Sequence, residues 1–215
     1  ACMLYPLHLE IEGMVCVIVG GGAVAVRKAA GLVACGARIT VIAPNVSTRL
    51  VEMEACGKVN ILRRGYRQGD FSSIKPRLVF LAAATSVNAQ AREEARALGI
   101  FANDAASDDG GDFVVPSRIR RGSLLLAVST GGAEPAFSRF LRRTLEDEFP
   151  SSFAPWMERL KVLRADVQKA VPKKAQAAFW KKALNYRVLE HVRAGELRKA
   201  EEEVRNAISD FGAES

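Results

Sequence analysis

Histidine is scarce in this chain and cysteine is scattered, which leaves little material for a metal site. The 215 residues include 2 histidines, His8 and His191, and 4 cysteines, none of them in a Cys-x-x-Cys pair. Structural metal sites in proteins are usually built from closely spaced ligands of these types. We therefore predict no metal site, and we expect reduced thiols of the kind found in the cytoplasm.

The chain also lacks a long apolar run and a recognisable secretory signal. No stretch approaches the roughly 18 apolar residues of a membrane span, and residues 1–10 contain no basic region followed by an apolar one. We therefore expect a cytoplasmic protein with no membrane partner. Met3 is a candidate natural start, which leaves the origin of Ala1 and Cys2 open.

Positive charge is in excess, and it concentrates in the second half. The formal net charge is +7, which is compatible with a nucleic acid, an acidic membrane surface, a polyanionic small molecule or simply a solvated helical surface. No helix-turn-helix and no basic patch interleaved with aromatic residues is present. We therefore expect no nucleic-acid partner.

Strands and helices alternate along the first half of the chain. Val15–Val19 is a continuous apolar run, typical of a parallel strand covered on both faces. The same patterns predict strands at 38–42, 59–62 and 78–83, with helices at 24–35 and 87–98. Beyond Ser107 they predict short strands at 113–115, 118–119 and 124–129, and then helices to the end. The alternation indicates an α/β fold with a parallel sheet.

A glycine-rich segment joins the first predicted strand to the first predicted helix. It follows the pattern Gly-x-Gly-x-x-Ala and comprises Gly20, Gly21, Gly22, Ala23, Val24 and Ala25. In this setting Gly20 permits the tight turn, Gly22 lets the backbone approach a pyrophosphate, and Ala25 allows close helix–strand packing. The N-terminus of the helix would offer N–H groups to the phosphates. We predict a Rossmann-type dinucleotide site; a structural glycine turn is the alternative.

The acidic residue that usually follows the second strand and binds the ribose is missing. The chain reads Ala43, Pro44, Asn45 at this point. Asn45 can hydrogen-bond a ribose hydroxyl, whereas the nearby Arg49 would attract the 2′-phosphate of NADP. Both cofactors therefore stay open, and NAD is the one we predict.

Further segments, taken in order, make the chain resemble the precorrin-2 dehydrogenase / sirohydrochlorin ferrochelatase family. The matching residues span nearly the whole chain: Tyr5 to Leu7, residues 19–28, residues 41–44, Ala83 to Thr85, Asn103, residues 113–116, residues 128–132, Pro135, and Leu141 with Arg142. The resemblance implies NAD-dependent oxidation of precorrin-2 to sirohydrochlorin in siroheme synthesis. Many members also insert ferrous iron, and this second activity stays open here.

The patterns along the chain, together with the resemblance, predict a domain plan, and the resemblance implies a homodimer. We expect an NAD-binding Rossmann domain over 1–112, a small α+β dimerisation and substrate segment over 113–149, and an all-helical domain over 150–215. Ala84 and Thr85 would join the cofactor-binding residues. The substrate is a polycarboxylate, and guanidinium groups bind carboxylates well. The predicted substrate-binding residues are Asn103, Arg118, Ser129, Thr130, Gly131, Gly132 and Arg142.

Two departures from the family pattern concern the predicted substrate and catalytic residues. The hydroxyl residue that the family has before the proline is Glu134 here. The family also has an Asp three residues after the position of Asn103, and here it is Ala106. Oxidation of the macrocycle removes a proton as well as a hydride, and metal insertion removes two protons from pyrrole nitrogens, so a positioned base would help both steps. Asp104 is the candidate base, Asp108 lies on the other side of Ala106, and a turn or capping role is the alternative for both. A non-catalytic tetrapyrrole- or dinucleotide-binding protein is therefore the alternative function.

Overall fold

The computed structural model describes residues 4–104, 111–131 and 133–213. The chain divides into two compact units between Val115 and Pro116. The three-part division expected from the sequence, with limits after residues 112 and 149, stays a prediction. None of the helices in the described ranges is long and apolar enough to cross a membrane.

The first unit is a five-stranded parallel sheet with the strand order β3-β2-β1-β4-β5. Its strands are β1 (Val15–Val19), β2 (Arg38–Ile42), β3 (Asn60–Leu62), β4 (Leu78–Leu81) and β5 (Phe101–Asp104). The helices between them are α1 (Ala23–Val33), α2 (Thr48–Ala55), α3 (Asp70–Ile74) and α4 (Thr85–Ala97). The predicted Rossmann-type α/β fold is confirmed.

Both faces of this sheet are covered, which explains the continuous apolar runs in the sequence. Successive side chains of β1 point to opposite faces. Ile18 packs with Ala25 and Leu50, from α1 and α2. Val17 packs on the other side with Phe71 and with residues of α4. The two clusters together hold the strand ends, and so the loops that follow them, in place.

Three elements of this unit were not foreseen from the sequence: α2, α3 and β5. Helix α3 has only 5 residues, too few for a helical periodicity to show. It is held by the buried carboxylate of Glu94 in α4, which accepts hydrogen bonds from the N–H groups of Phe71 (3.1 Å) and Ser72 (3.2 Å). A contact 22 or 23 residues away in sequence leaves no local signal.

The strand predicted over residues 113–115 is wrong. These residues form no strand. The Phe113 carbonyl instead accepts a hydrogen bond from the side-chain amide of Asn103 (2.8 Å), and the Phe113 ring packs edge-on against Phe80. Residues 113–115 are thus held by side-chain contacts, and not by the backbone hydrogen bonds of a strand that their apolar character predicted.

The second unit combines a β-hairpin with helices. Strands β6 (Ser117–Arg121) and β7 (Leu124–Val128) pair in antiparallel fashion. The helices are α5 (Pro135–Glu148), α6 (Phe153–Ala170), α7 (Gln176–Ala183), α8 (Tyr186–Arg193) and α9 (Leu197–Ala213), with a 3-10 turn at Lys173–Ala175. Trp156, Leu163 and Val167 are buried in α6. The expected small α+β segment and helical appendage are present.

Candidate dinucleotide site

The strand order creates a crevice at the carboxyl edge of the parallel sheet. The chain runs from β1 to β2 and β3 on one side, and then returns to place β4 on the other side of β1. The loops after β1 and β4 therefore lead away from each other. In doubly wound sheets this switch point is where ligands bind. Gly20, Ala43 and Ala82 each follow the last residue of one of the three central strands.

Two glycines of the loop after β1 are required by close backbone contacts. Gly20 has a φ of +122°, and a Cβ built on it would lie 2.3 Å from the carbonyl oxygen of Ala82. A Cβ on Gly21 would lie 2.1 Å from the carbonyl oxygen of Asn45. Both distances are far below van der Waals contact. The need for glycine at residue 21 was not visible in the sequence pattern, because it comes from the loop after β2.

Gly22 differs from its neighbours because the space beside it is open. No protein atom lies within 4 Å of a Cβ built on it. It is the N-cap of α1 and offers no side chain to the first turn of the helix. The N–H groups of a first helical turn have no partner within the helix. This combination suits the approach of an anionic group, as the sequence pattern predicts.

Burial increases along the first residues of α1, from the exposed end that faces the open space beside Gly22 to the side that packs on the sheet. Ala23 is exposed and Val24 is half-buried at the start of α1. Ala25 is fully buried in the cluster beneath the helix. A larger side chain at residue 25 would push α1 away from β1.

The loop after β2 packs against the glycine loop. The N–H of Ser47 donates to the carbonyl of Gly21 (2.9 Å). Ala43 is buried, whereas Pro44 and Asn45 are exposed. The hydroxyl oxygen of Ser47 is buried without a hydrogen-bond partner in the described part of the chain. Polar atoms in this loop therefore lie beside the crevice.

The loop after β4 leads directly into α4. Ala84 is the N-cap of this helix and Thr85 its first residue, and both are exposed. Asn88, one turn further on, accepts a hydrogen bond from the N–H of Ala83 (3.0 Å) and donates one to Asp104 (3.0 Å). The structure thus brings the candidate base of the sequence next to the loop that the sequence predicts to bind the cofactor.

The two polar residues at the end of β5 are buried and already hydrogen-bonded. Asn103 is 5% exposed and Asp104 is 7% exposed. The ammonium group of Lys28 donates to the side-chain oxygen of Asn103 (2.7 Å), and the Asn103 amide group donates to Phe113. Roles in substrate binding for Asn103 and in catalysis for Asp104 stay predictions. Ala106 and Asp108 lie outside the described residues.

The remaining candidate substrate residues belong to the second unit. Ser129, Thr130 and Gly131 lie in the loop between β7 and α5, where the hydroxyls of Thr130 and Ser138 are 2.9 Å apart. Arg118 is exposed on β6, and Arg142 forms an ion pair with Glu146. Gly132 lies outside the described residues. Their contact with a substrate stays a prediction.

Glu134, where this chain departs from the family pattern, has a structural role. It is the N-cap of α5, and its side chain accepts a hydrogen bond from the N–H of Ala136 (2.7 Å). Carboxylates are favourable at this helix position. The side chain of Glu134 therefore caps α5 in this chain.

A Rossmann-type unit with an open glycine loop at its switch point defines a nicotinamide dinucleotide-binding protein, and comparison with known proteins agrees. The chain belongs to the family described as "Putative NAD(P)-binding", which matches residues 7–117. The predicted cofactor class is thereby confirmed.

Proteins of siroheme synthesis are among those that this chain is similar to. It is 34% identical to the siroheme synthase of Nitrosococcus oceani over 91% of this chain and 42% of that protein. It is 35% identical to the siroheme synthase of Methylococcus capsulatus over 91% of this chain and 41% of that protein. The chain thus spans less than half the length of these relatives.

A solved structure, described as "SirC, precorrin-2 dehydrogenase", has the same fold. The TM-score is 0.73 at 25% sequence identity, and the match covers 94% of this chain and 100% of that one. These similarities confirm the family resemblance recognised in the sequence.

Proposed function

We propose that this protein is an NAD-dependent dehydrogenase that oxidises precorrin-2 to sirohydrochlorin. The observation that carries the proposal is the glycine loop at the switch point. Gly20 and Gly21 allow the three loops to approach each other, and Gly22 leaves room for a pyrophosphate. The likeness to siroheme synthases and to a precorrin-2 dehydrogenase supports the choice of substrate.

The reaction removes a hydride and a proton from the tetrapyrrole. NAD, when bound, would supply the hydride acceptor. The N–H groups at the start of α1 would hold its pyrophosphate, and Asn45 would hydrogen-bond its adenosine ribose. Ala84 and Thr85, at the start of α4, would contact the remainder of the dinucleotide. Holding two reactants in a fixed geometry supplies much of the rate of such a transfer.

NAD rather than NADP is the proposed cofactor because of the charges beside the loop after β2. Arg49, the residue that would attract a 2′-phosphate, forms an ion pair with Glu52 (2.7 Å). The Glu52 carboxylate offsets the positive charge there and would repel a second anion. The pair is exposed, so the preference is modest.

The proposed partners are the polycarboxylate tetrapyrrole and a second copy of the chain. Arg118 and Arg142, with the Ser129–Thr130–Gly131 loop, would bind substrate carboxylates.

The surface proposed for the second copy of the chain lies on α5. There Phe137 is 51% exposed and Phe140 is 61% exposed. Exposed aromatic residues of this kind are typical of protein interfaces.

The cytoplasm is the proposed compartment, since Cys16, Cys35 and Cys56 are free thiols.

An anaerobic assay with precorrin-2 and NAD tests the proposal. NADH and sirohydrochlorin should form together in equal amounts, and more slowly with NADP in place of NAD. Binding of NADH without any turnover would contradict the dehydrogenase and would support a non-catalytic binding protein. In that case an Ala106→Asp variant should acquire activity.

Adding ferrous iron to the same reaction tests the second activity of the family. We expect iron to enter sirohydrochlorin no faster than without protein, because the family's Asp is Ala106 here. Accelerated siroheme formation would show that another group supplies the base or that no base is needed.

A further inference from the structure

The buried side chain of Asn88 joins the ends of two neighbouring strands. Strands β4 and β5 pair in parallel with Leu81 opposite Asp104, so the loop after β4 begins beside the last residue of β5. Asn88 lies in the first turns of α4, above this point, and is 1% exposed. Its two side-chain atoms contact one partner on each side, Ala83 and Asp104.

The hydrogen bonds define which way the Asn88 amide points. The N–H of Ala83 can only donate, so the amide oxygen of Asn88 must face it (3.0 Å). The amide nitrogen then faces Asp104, whose carboxylate accepts its hydrogen bond (3.0 Å). The backbone N–H of Asn88 also donates to the carbonyl of Ala84 (2.9 Å). Asn88 therefore holds this loop at two successive residues.

The same loop is in direct contact with the glycine loop. The N–H of Ala82 donates to the carbonyl of Val19, the last residue of β1 before the glycine loop (2.8 Å). Its carbonyl oxygen is the atom that would lie 2.3 Å from a Cβ on Gly20. A shift of the loop by a few tenths of an ångström would therefore change the shape of the crevice. It would also move Ala84 and Thr85, which the sequence predicts to bind the cofactor.

We propose that Asp104 and Asn88 are positioning residues of the dinucleotide site. Asp104 orients the Asn88 amide, and Asn88 holds the loop of residues 82–84 against the glycine loop. Asp104 thus acts through Asn88 and does not accept the substrate proton. A buried carboxylate without such a donor would be costly, and the Asn88 amide supplies one.

Three variants and one matched control test this proposal in the full chain. Asn88→Ala and Asp104→Ala each remove a link between β5 and the loop. Asp104→Asn keeps an oxygen that can accept the hydrogen bond but removes the charge and the basicity. Glu94→Gln is the control, because Glu94 is a buried polar residue of the same helix whose hydrogen bonds go to Tyr66 and to the start of α3 instead.

The first readout is the affinity for NADH, measured by fluorescence titration. We expect Asn88→Ala and Asp104→Ala to raise the Kd about tenfold, because loss of a buried hydrogen bond misplaces the loop. Asp104→Asn should return the Kd to within about threefold of the wild type, since the amide oxygen restores the bond. Glu94→Gln should lower the melting temperature without changing the Kd. An unchanged Kd in Asn88→Ala would overturn the proposal.

The second readout is kcat in the anaerobic assay, and only this readout rests on the proposed function. We expect Asp104→Asn to keep kcat within about threefold of the wild type. A loss of about a hundredfold at unchanged Kd would instead identify Asp104 as the base. If the wild type shows no turnover, the proposed dehydrogenase function is wrong. The NADH Kd values of the wild type and the variants still decide whether Asn88 and Asp104 are positioning residues.

Discussion

At the scale of single residues, the three glycines of the loop after β1 have different tasks. Gly20 and Gly21 are required by carbonyl oxygens of the neighbouring loops, at 2.3 and 2.1 Å from the Cβ position. Gly22 is surrounded by open space on the side where a ligand would approach. Two of the three glycines are therefore needed for the close packing of the loops, and the third leaves space for a ligand.

Substitution of Gly20 and of Gly22 by alanine should separate these tasks. Gly20→Ala should destabilise the protein by roughly 1–3 kcal/mol, because of the positive φ and the clash with Ala82. Gly22→Ala should leave the melting temperature nearly unchanged but weaken NADH binding about tenfold or more. Thermal melts and NADH titrations of both variants measure this. Equal loss of stability in both would contradict the division of tasks.

The choice between NAD and NADP is also set by single residues. Removing the charge of Glu52 frees Arg49 to attract a 2′-phosphate. Glu52→Gln should therefore strengthen NADPH binding about two- to fivefold at low salt, and much less at high salt. Binding of NADH should not change, which serves as the internal control. A variant with unchanged NADPH affinity at low salt would show that Arg49 lies too far from the ribose.

At the scale of elements, the short helix α3 depends on side chains from elsewhere in the fold. Glu94 accepts hydrogen bonds from Gly69, Phe71 and Ser72, and from the hydroxyl of Tyr66. Burial, followed by the hydrogen bond to Glu94, raises the pKa of the Tyr66 hydroxyl. A tyrosine hydroxyl is neutral at physiological pH in any case, and the raised pKa keeps it a donor to Glu94 at more alkaline pH as well. Glu94 thus caps a helix to which it does not belong.

Replacement of Glu94 should show how much this cap contributes. Glu94→Ala leaves buried N–H groups without an acceptor and should cost roughly 2–4 kcal/mol. Glu93→Ala is the matched control, because Glu93 lies next to it in α4 but its side chain is 74% exposed. It should change the free energy of unfolding by less than about 0.5 kcal/mol. Denaturant unfolding of both variants measures the difference; similar values would rule out the cap.

Asp70, at the start of α3, should make stability depend on pH. Its hydrogen bond with the Arg64 guanidinium is the main reason why the pKa of its carboxyl is lowered. The folded state therefore binds the proton less tightly than the unfolded chain does. This contribution is fully present above the ordinary carboxyl value of about 4, and it is lost as the pH falls through the lowered pKa.

The variant Asp70→Asn tests this dependence. At pH 7 it should melt roughly 3 °C below the wild type or lower. The gap should shrink steadily below about pH 4, where the wild-type carboxyl also takes up its proton. Melting curves recorded from pH 7 to pH 3 check this. A gap that is constant over the whole range would show that charge at Asp70 contributes nothing.

At the scale of the whole molecule, the second unit leaves an aromatic surface on α5. The rings of Phe137 and Phe140 stack on each other, with centroids 6.1 Å apart, yet both remain more than half exposed. Exposure of such a pair to water is costly. A second copy of the chain is the partner that we propose for it.

A double substitution, Phe137→Glu and Phe140→Glu, should abolish the proposed dimer. Each buried aromatic residue at an interface contributes a large share of the binding energy, and two carboxylates would add repulsion. Light scattering should show a dimer for the wild type and a monomer for the variant. The control is Val162→Glu, since Val162 is 57% exposed on α6, and it should stay dimeric. A monomeric wild type would contradict the proposal.

Much of the molecule could be predicted from the sequence alone. The apolar runs of β1, β2 and β4, helices α1 and α4 and the glycine pattern are local signals, because each depends on neighbours within a few residues. The glycine pattern indicates the cofactor class, which the family resemblance supports and the comparisons confirm. Local patterns are readable because the period of a strand or a helix is a property of the segment itself.

Other features were decided only by the tertiary structure. The need for Gly21 comes from Asn45, the Asn88 amide donates to Asp104, and α3 depends on Glu94. The apolar run at 113–115 packs through side chains instead of forming a strand. Each of these depends on atoms that are distant in sequence. Their contacts exist only after the sheet has brought the strand ends together, so no local pattern could indicate them.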